Sequence, residues 1–204
     1  MGRYDNESYV SATLEFRCNL RCVHCMIEGT MDRLEPVSDE AFDHVLKQNA
    51  QTRQYSGLVM TGSEITLRRD LPELAQRARD AGFEHIRIQT HGMHLSRPGY
   101  AEKLIEAGID EFFISVAGSD AATHDGITMV PGSWDKMLRG MEIISSVPDT
   151  AIITNTVVTE RSYRLLPDVV DALSGISALP QMEFWHYFPM SRADDKGLLA
   201  DYRL

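Results

Sequence analysis

Short apolar runs and longer stretches with one apolar face alternate along this chain, with a period of about 30 residues. The short runs are rich in β-branched and aromatic residues, which is typical of buried strands. They predict six strands, at residues 9–16, 57–60, 85–90, 112–116, 151–158 and 182–188.

The segments between the predicted strands carry helix signals. Ser38 is expected to cap the first helix, because its hydroxyl can accept from the exposed N–H groups of the first turn. Ser133 is expected to cap a later helix that reaches about residue 146. Gly82 and Gly108 stand where a glycine commonly ends a helix. The other predicted helices cover residues 70–81, 99–107 and 165–173.

Strands that alternate with helices predict an α/β fold with a parallel sheet and right-handed helical crossovers. Six units are too few for a closed eight-stranded barrel. Ligands of parallel sheets lie at the carboxyl ends of the strands, so the residues that follow each strand are the candidates for function.

Composition narrows the classes of function. The chain has 204 residues and a net charge of −10, which disfavours a nucleic-acid surface because such a surface is normally basic. It has no apolar run of membrane-spanning length and no signal-peptide core, so we expect a cytoplasmic protein that does not bind a membrane.

All three cysteines lie in one eight-residue segment, at Cys18, Cys22 and Cys25. Three thiolates leave one iron of a [4Fe–4S] cube without a protein ligand, and an open iron can activate a small molecule. Two alternatives are weaker. A Cys22–Cys25 disulfide would leave Cys18 unpaired. A closed zinc site would need the His24 ring, which lies between two of the ligands, to reach the same tetrahedron.

The Cys-x-x-x-Cys-x-x-Cys spacing after a first strand resembles the radical S-adenosylmethionine (radical SAM) superfamily. The resemblance covers about residues 9–192 and implies one core domain over 1–204, with a partial TIM barrel, (β/α)6. It also implies a [4Fe–4S] cluster on the three cysteines and S-adenosylmethionine as second cofactor. The expected reaction is reductive cleavage to a 5′-deoxyadenosyl radical, which removes a hydrogen atom from a substrate. His24 fits the position before the last cysteine, which is usually aromatic.

The later strand ends resemble the cofactor-binding segments of the same superfamily. Gly62, Ser63 and Glu64 are similar to its Gly-Gly-Glu-Pro segment, which binds the methionine amino group. The resemblance implies that Ser115 contacts the ribose or the carboxylate of S-adenosylmethionine. The resemblance further implies a ribose contact from Asn155 and an adenine contact from Val157.

Two more cofactor contacts are implied near the end of the chain. Backbone groups near Phe188 are expected to contact the adenine edge. The chain resembles most the peptide- and cofactor-modifying branch of the superfamily, and Thr128 and Met129 occupy the region where that branch often carries an arginine. Lys136 or Arg192 is therefore the candidate partner of the cofactor carboxylate.

Two histidines at strand ends are candidates for the substrate side. His186 lies in an aromatic run at the end of the sixth strand. His91 occupies a turn position where asparagine is common in the family, and it is the weaker candidate because turn histidines are often purely structural. The expected partners are a small-molecule or peptide substrate and a reductant such as flavodoxin or ferredoxin. The competing hypothesis is a non-catalytic relative that keeps the cluster or a metal as a binding module.

Overall fold

The computed structural model describes residues 8–25, 27, 34–159 and 162–187. Within these ranges six strands form one fully parallel sheet, in which each strand pairs with its neighbour along the chain. The strands are β1 (Tyr9–Glu15), β2 (Gly57–Gly62), β3 (His85–Thr90), β4 (Glu111–Ser115), β5 (Ala151–Val158) and β6 (Gln181–His186). The α/β prediction is confirmed. β1 and β6 form the two edges, so the sheet is open, as a (β/α)6 arrangement requires.

Helices connect the strands. They are α1 (Asp39–Thr52), α2 (Leu71–Asp80), α3 (Tyr100–Glu106), α4 (Ala121–Thr128), α5 (Ser133–Ser145) and α6 (Leu166–Leu173). Short 3₁₀ turns occupy Ile65–Leu67, Met93–Ser96 and Tyr163–Leu165. Ser38 caps α1 as predicted, because its hydroxyl accepts from the Ala41 N–H.

The predicted cap of α5 is wrong. Gly132 is the N-cap residue, with a φ of 76°, and Ser133 is the first residue of the helix. The Ser133 hydroxyl instead donates to Asp125 at 2.7 Å. The acidic side chain seven residues before Gly132 takes the role that the serine was expected to play.

The sequence pattern also missed a helix, α4, which lies between β4 and α5. It begins with a capping box: the Asp120 carboxylate accepts from the Thr123 N–H at 2.7 Å, and the Thr123 hydroxyl accepts from the Asp120 N–H at 3.3 Å. The helix ends at Met129, which has a φ of 59°. Because α4 carries glycine at position 126, its helical pattern is weak in the sequence.

The two faces of the sheet have different roles. In β3, Ile86 and Ile88 are fully buried against the helices, whereas Arg87 and Gln89 alternate with them and point to the opposite face. The same period places Phe113 of β4 on that opposite face. The main core is therefore sealed between sheet and helices, and the other face of the sheet is left for polar side chains and ligands.

No helix in the described ranges is long and apolar enough to cross a membrane. Phe188 and Arg192 lie outside the described residues.

Candidate functional site

The cysteine segment is a loop that follows β1 and is docked on the C-terminus of α4. The Arg21 N–H donates to the Thr128 carbonyl at 3.1 Å, and the Val23 N–H donates to the Ile127 carbonyl at 3.0 Å. The last carbonyls of a helix have no partner within the helix. The loop therefore supplies hydrogen-bond donors to the last carbonyls of α4, and α4 in turn fixes the loop on both sides of Cys22.

None of the three cysteines forms a disulfide, and all three are half-buried. Burial, with smaller contributions from the charges of Glu64 and Cys25, raises the pKa of Cys18 to about 11, against a hydrogen bond from the Leu20 N–H that lowers it. A metal ligand must be a thiolate, so a cation bound here would displace the Cys18 proton.

Within the described residues, no three His, Cys, Asp or Glu side chains converge as ligands of a single metal ion. The cysteines of a [4Fe–4S] cube have a different task, because each binds its own iron.

A cavity of about 550 Å³ opens at the carboxyl ends of the strands, directly against the cysteine loop. This volume is within the range of about 300–1,000 Å³ that is usual for small-molecule sites. The sequence-predicted residues that line it are Cys18, Cys22, Cys25, His24, Gly62, Ser63, His91, Ser115, Asn155, Val157 and His186. Five different strand ends and the cysteine loop thus meet at one cavity.

Glu64 is the predicted site residue that lies behind this wall rather than on it. Its side chain is fully buried. Its carboxylate accepts from the Thr90 hydroxyl at 2.6 Å and from the N–H groups of Thr66 and His91 at 3.0 and 2.8 Å. These bonds hold the ends of β2 and β3 together. In this arrangement the Glu64 carboxylate is directed at protein donors, and Gly62 and Ser63 form the wall in front of it.

Gly62 is required where β1 and β2 come closest. A Cβ atom on this residue would lie 1.9 Å from the carbonyl oxygen of Glu15. The register between the two strands shifts at the same place, between Thr13 and Glu15. The glycine therefore allows the β2 end to reach the start of the cysteine loop, where the Ser63 N–H donates to the Glu15 carbonyl at 2.8 Å.

His91 is buried, and both of its ring nitrogens have hydrogen-bond partners. Its Nε2 atom lies 2.7 Å from the Asn19 side-chain oxygen and 3.1 Å from a Glu64 carboxylate oxygen. Its Nδ1 atom accepts from the Met93 N–H at 3.2 Å. Burial lowers the pKa of His91 despite the opposing charge of Glu64, which favours the neutral ring.

One ring nitrogen of His24 is buried although the ring as a whole is not. The ring is only half-buried and lines the cavity, but its Nδ1 atom is buried and has no hydrogen-bond partner in the described part of the chain. Burial lowers the pKa of His24 to about 4, so the ring is neutral at physiological pH.

Asn155 has an unused donor. The side chain is 7% exposed and lines the cavity, and its Nδ2 atom has no hydrogen-bond partner among the described residues. A buried amide N–H₂ without a partner is costly. The donor is therefore suited to a ligand oxygen in the cavity.

Aromatic side chains form the cavity wall at β6. Trp185 lies against Phe113 of β4, with ring centroids 5.7 Å apart, and both line the cavity. His186 ends β6 on the rim and is exposed.

Sequence reasoning missed Arg21, Gln89 and Phe113 as lining residues. The described lining contains no aspartate or glutamate, and Arg21 is its one arginine or lysine. Lys136, an expected partner of the cofactor carboxylate, is exposed on α5 and does not line the cavity. The position of Arg21 between two cysteines was the available signal.

The described residues fit the two implied cofactors. Three cysteines that form no disulfide lie on one anchored loop, as a cube with one open iron requires. The cavity beside them offers the unpaired Asn155 donor and the cationic Arg21, which suit the hydroxyl and carboxylate oxygens of S-adenosylmethionine.

Known proteins resemble this chain over most of its length. It is 31% identical over 179 residues to a protein named "Probable GTP 3',8-cyclase" from Methanopyrus kandleri, covering 88% of this chain and 56% of that one. It is 30% identical over 189 residues to an "AdoMet-dependent heme synthase" from Methanosarcina barkeri, covering 91% and 52%. The chain thus spans about half the length of these curated relatives.

A solved structure shares the fold. The crystal structure of SuiB from Streptococcus suis, bound to the precursor peptide SuiA, superposes with a TM-score of 0.70 at 16% identity, covering 90% of this chain and 40% of that chain. The family model described as "Radical SAM superfamily" matches residues 16–170, which include the cysteine loop and β2 to β5. Members of this family use a [4Fe–4S] cluster and S-adenosylmethionine. Because that match covers well over half of the sequence, the chain belongs to the radical SAM superfamily.

Proposed function

We propose that this chain cleaves S-adenosylmethionine reductively and uses the resulting 5′-deoxyadenosyl radical to remove a hydrogen atom from a substrate. The observation that carries the proposal is the anchored three-cysteine loop, which opens onto a cavity of about 550 Å³ at the strand ends. When bound, the reduced cluster supplies one electron to the sulfonium and so releases methionine and the radical.

The chain's own residues bind and orient the two cofactors and shield them from water. Cys18, Cys22 and Cys25 hold three irons as thiolates. The strand-end groups Gly62 and Ser63 present backbone to the methionine amino group. Asn155 donates to a ribose oxygen.

Other lining residues complete the cofactor pocket. Ser115 lines the cavity where a ribose or carboxylate oxygen would lie. Val157 covers the adenine, and His24 closes the wall beside the cluster. Arg21 is the lining residue whose charge suits the methionine carboxylate.

We place the substrate at the β6 side of the cavity, beside Trp185 and His186. The relatives' names mention GTP and heme, and SuiB binds a precursor peptide. We therefore expect a small-molecule or peptide substrate for this chain. The electron donor is a low-potential carrier such as flavodoxin or ferredoxin. Three cysteines without a disulfide suit a reducing, cytoplasmic setting.

The test is anaerobic reconstitution with iron and sulfide, followed by dithionite and S-adenosylmethionine. We expect about four irons and four sulfides per chain and release of 5′-deoxyadenosine. Replacing all three cysteines by alanine should abolish both the cluster absorbance and the nucleoside. A colourless protein that holds one zinc, or a cluster protein that releases no nucleoside even with cell extract, would indicate a binding module instead.

A further inference from the structure

A side-chain link joins the cysteine loop to the ends of β2 and β3. It runs from Asn19 to His91 and from His91 to Glu64. His91 and Glu64 are 7% and 0% exposed, whereas Asn19 is exposed, so the link is buried where it meets the strand ends and open to water at the loop. Loss of the Asn19 acceptor leaves the buried Nε2–H of His91 with the Glu64 carboxylate as its described partner, so the expected cost is about that of one hydrogen bond.

Three contacts fix where the His91 proton lies. The Met93 N–H donates to Nδ1, so Nδ1 is an acceptor and the ring proton is on Nε2. Nε2–H then faces two acceptors, the Asn19 side-chain oxygen at 2.7 Å and the Glu64 carboxylate at 3.1 Å. The opposite tautomer would set an N–H against the Met93 N–H. The neutral ring therefore donates across the gap to the cysteine loop.

The link supports the part of the loop that α4 does not. The two bonds from α4 hold Arg21 and Val23, on either side of Cys22. Asn19 adjoins Cys18, at the other end of the loop. Near Cys18 the backbone is also tied by the Glu64 N–H, which donates to the Arg17 carbonyl at 3.1 Å. The side-chain link adds a second long-range contact beside Cys18, on the side of Asn19 rather than Arg17.

We propose that His91 is a positioning residue for the cluster, whose Nε2–H holds Asn19 and thereby sets the conformation of Cys18. This inference rests on the proposed function only in that the ligand of Cys18 is a cluster iron. It assigns His91 to the architecture of the metal site rather than to the substrate.

The test uses variants that separate the donor from the ring. His91→Gln places an amide N–H₂ near the position of Nε2, whereas His91→Phe keeps a ring without a donor. Asn19→Ala removes the acceptor from the loop and leaves the core untouched. His94→Gln is the matched control, because His94 is a buried histidine of the same turn that contacts the Thr66 carbonyl and Arg97.

Two readouts are taken on the full chain. The first is the rate at which a thiol reagent such as DTNB modifies the metal-free protein. The second is the half-life and the electron paramagnetic resonance spectrum of the reduced cluster after reconstitution. His91→Phe and Asn19→Ala should each speed thiol modification and shorten the cluster half-life by about two- to ten-fold, the range of one hydrogen bond.

Rescue and coupling decide the outcome. His91→Gln should behave like wild type, and the double variant His91→Phe/Asn19→Ala should be no worse than either single one, because both remove the same contact. Changes no larger than those of His94→Gln, failure of glutamine to rescue, or additive single effects would each overturn the proposal. If His91→Phe does not fold, Asn19→Ala alone decides. The thiol rates need neither cluster nor cofactor, so absence of 5′-deoxyadenosine would contradict only the proposed function.

Discussion

The Asp125 carboxylate of α4 accepts a hydrogen bond from the Trp134 N–H of α5 at 2.9 Å. The same carboxylate accepts from the Gly132 N–H at 2.6 Å and from the Ser133 hydroxyl at 2.7 Å. One side chain thus fixes the start of α5 from the helix whose last carbonyls hold the cysteine loop. The anchoring of the cysteine loop, where we propose the cluster, therefore depends in part on a residue outside the cavity lining.

Replacing Asp125 by alanine should lower the free energy of unfolding by about 1–3 kcal/mol, because it leaves helix donors without a partner. Partial burial alone would raise the pKa of this carboxyl, but the hydrogen bonds from Ser133, Trp134 and Gly132 outweigh it and hold the pKa below the usual range.

A group with a lowered folded-state pKa stabilises the fold above its unfolded pKa, about 3.9 for aspartate, and loses that contribution as the pH falls through the folded pKa. The stability difference between wild type and Asp125→Asn should therefore be full at pH 7 and shrink below about pH 4. Chemical unfolding at several pH values measures it, with exposed Asp135→Asn as control. A difference that does not change with pH would contradict the role of the charge.

Gly62→Ala should destabilise the chain strongly, because its Cβ would collide with the Glu15 carbonyl. The matched control is Gly126→Ala in α4, where an added Cβ meets no atom within 4 Å. There alanine should be neutral or stabilise by up to about 1 kcal/mol, through its better helix propensity. Thermal unfolding of the two variants measures the contrast. Equal melting temperatures would mean that β1 can move away from β2 without loss.

Glu64→Gln separates an architectural role from direct cofactor binding. Its carboxylate accepts several protein donors, and an amide N–H₂ in its place would face at least one of them. We expect the melting temperature to fall by about 5 °C or more. A variant that melts like wild type but binds S-adenosylmethionine about ten-fold more weakly would instead identify Glu64 as a ligand of the methionine ammonium.

Asn155→Ala should weaken S-adenosylmethionine binding by about two- to ten-fold, the effect of one lost hydrogen bond. Its effect on unfolding should be small, because the Nδ2 donor has no described protein partner to lose. Calorimetric titration of the anaerobic protein measures binding. Thr156→Ser, on the opposite face of β5, is the control. Unchanged affinity for Asn155→Ala would place the ribose elsewhere.

His186→Ala should separate substrate from cofactor. A residue that orients the substrate speeds only the coupled reaction, because it fixes the target C–H bond near the radical carbon. We expect slow uncoupled 5′-deoxyadenosine formation to persist, while its stimulation by cell extract collapses. Exposed His44→Ala on α1 is the control. Loss of cluster or cofactor binding in His186→Ala would assign the β6 rim to the adenine pocket.

Local patterns predicted the fold well because each strand carries its own signal. The β5 prediction matched both bounds, and β3 did the same. The α4 helix was missed because Gly126 weakens its helical pattern, although Asp120 and Thr123 form a capping box at its start. The environment of Glu64 was not predictable, since its donors come from residues 2 to 27 positions away. Such long-range contacts, and not the local motif, decide whether the Glu64 carboxylate faces the cavity or the protein interior.

The docking of the cysteine loop on α4 also has a temporal consequence. Because the sheet order follows the chain order, each unit can pack as soon as it leaves the ribosome. The carbonyls of Ile127 and Thr128, however, are made roughly a hundred residues after Val23. At usual synthesis rates that delay is about 5–20 s, during which the nascent thiols lack their backbone partners. The loop therefore cannot reach its docked conformation until α4, which follows the fourth strand, has formed.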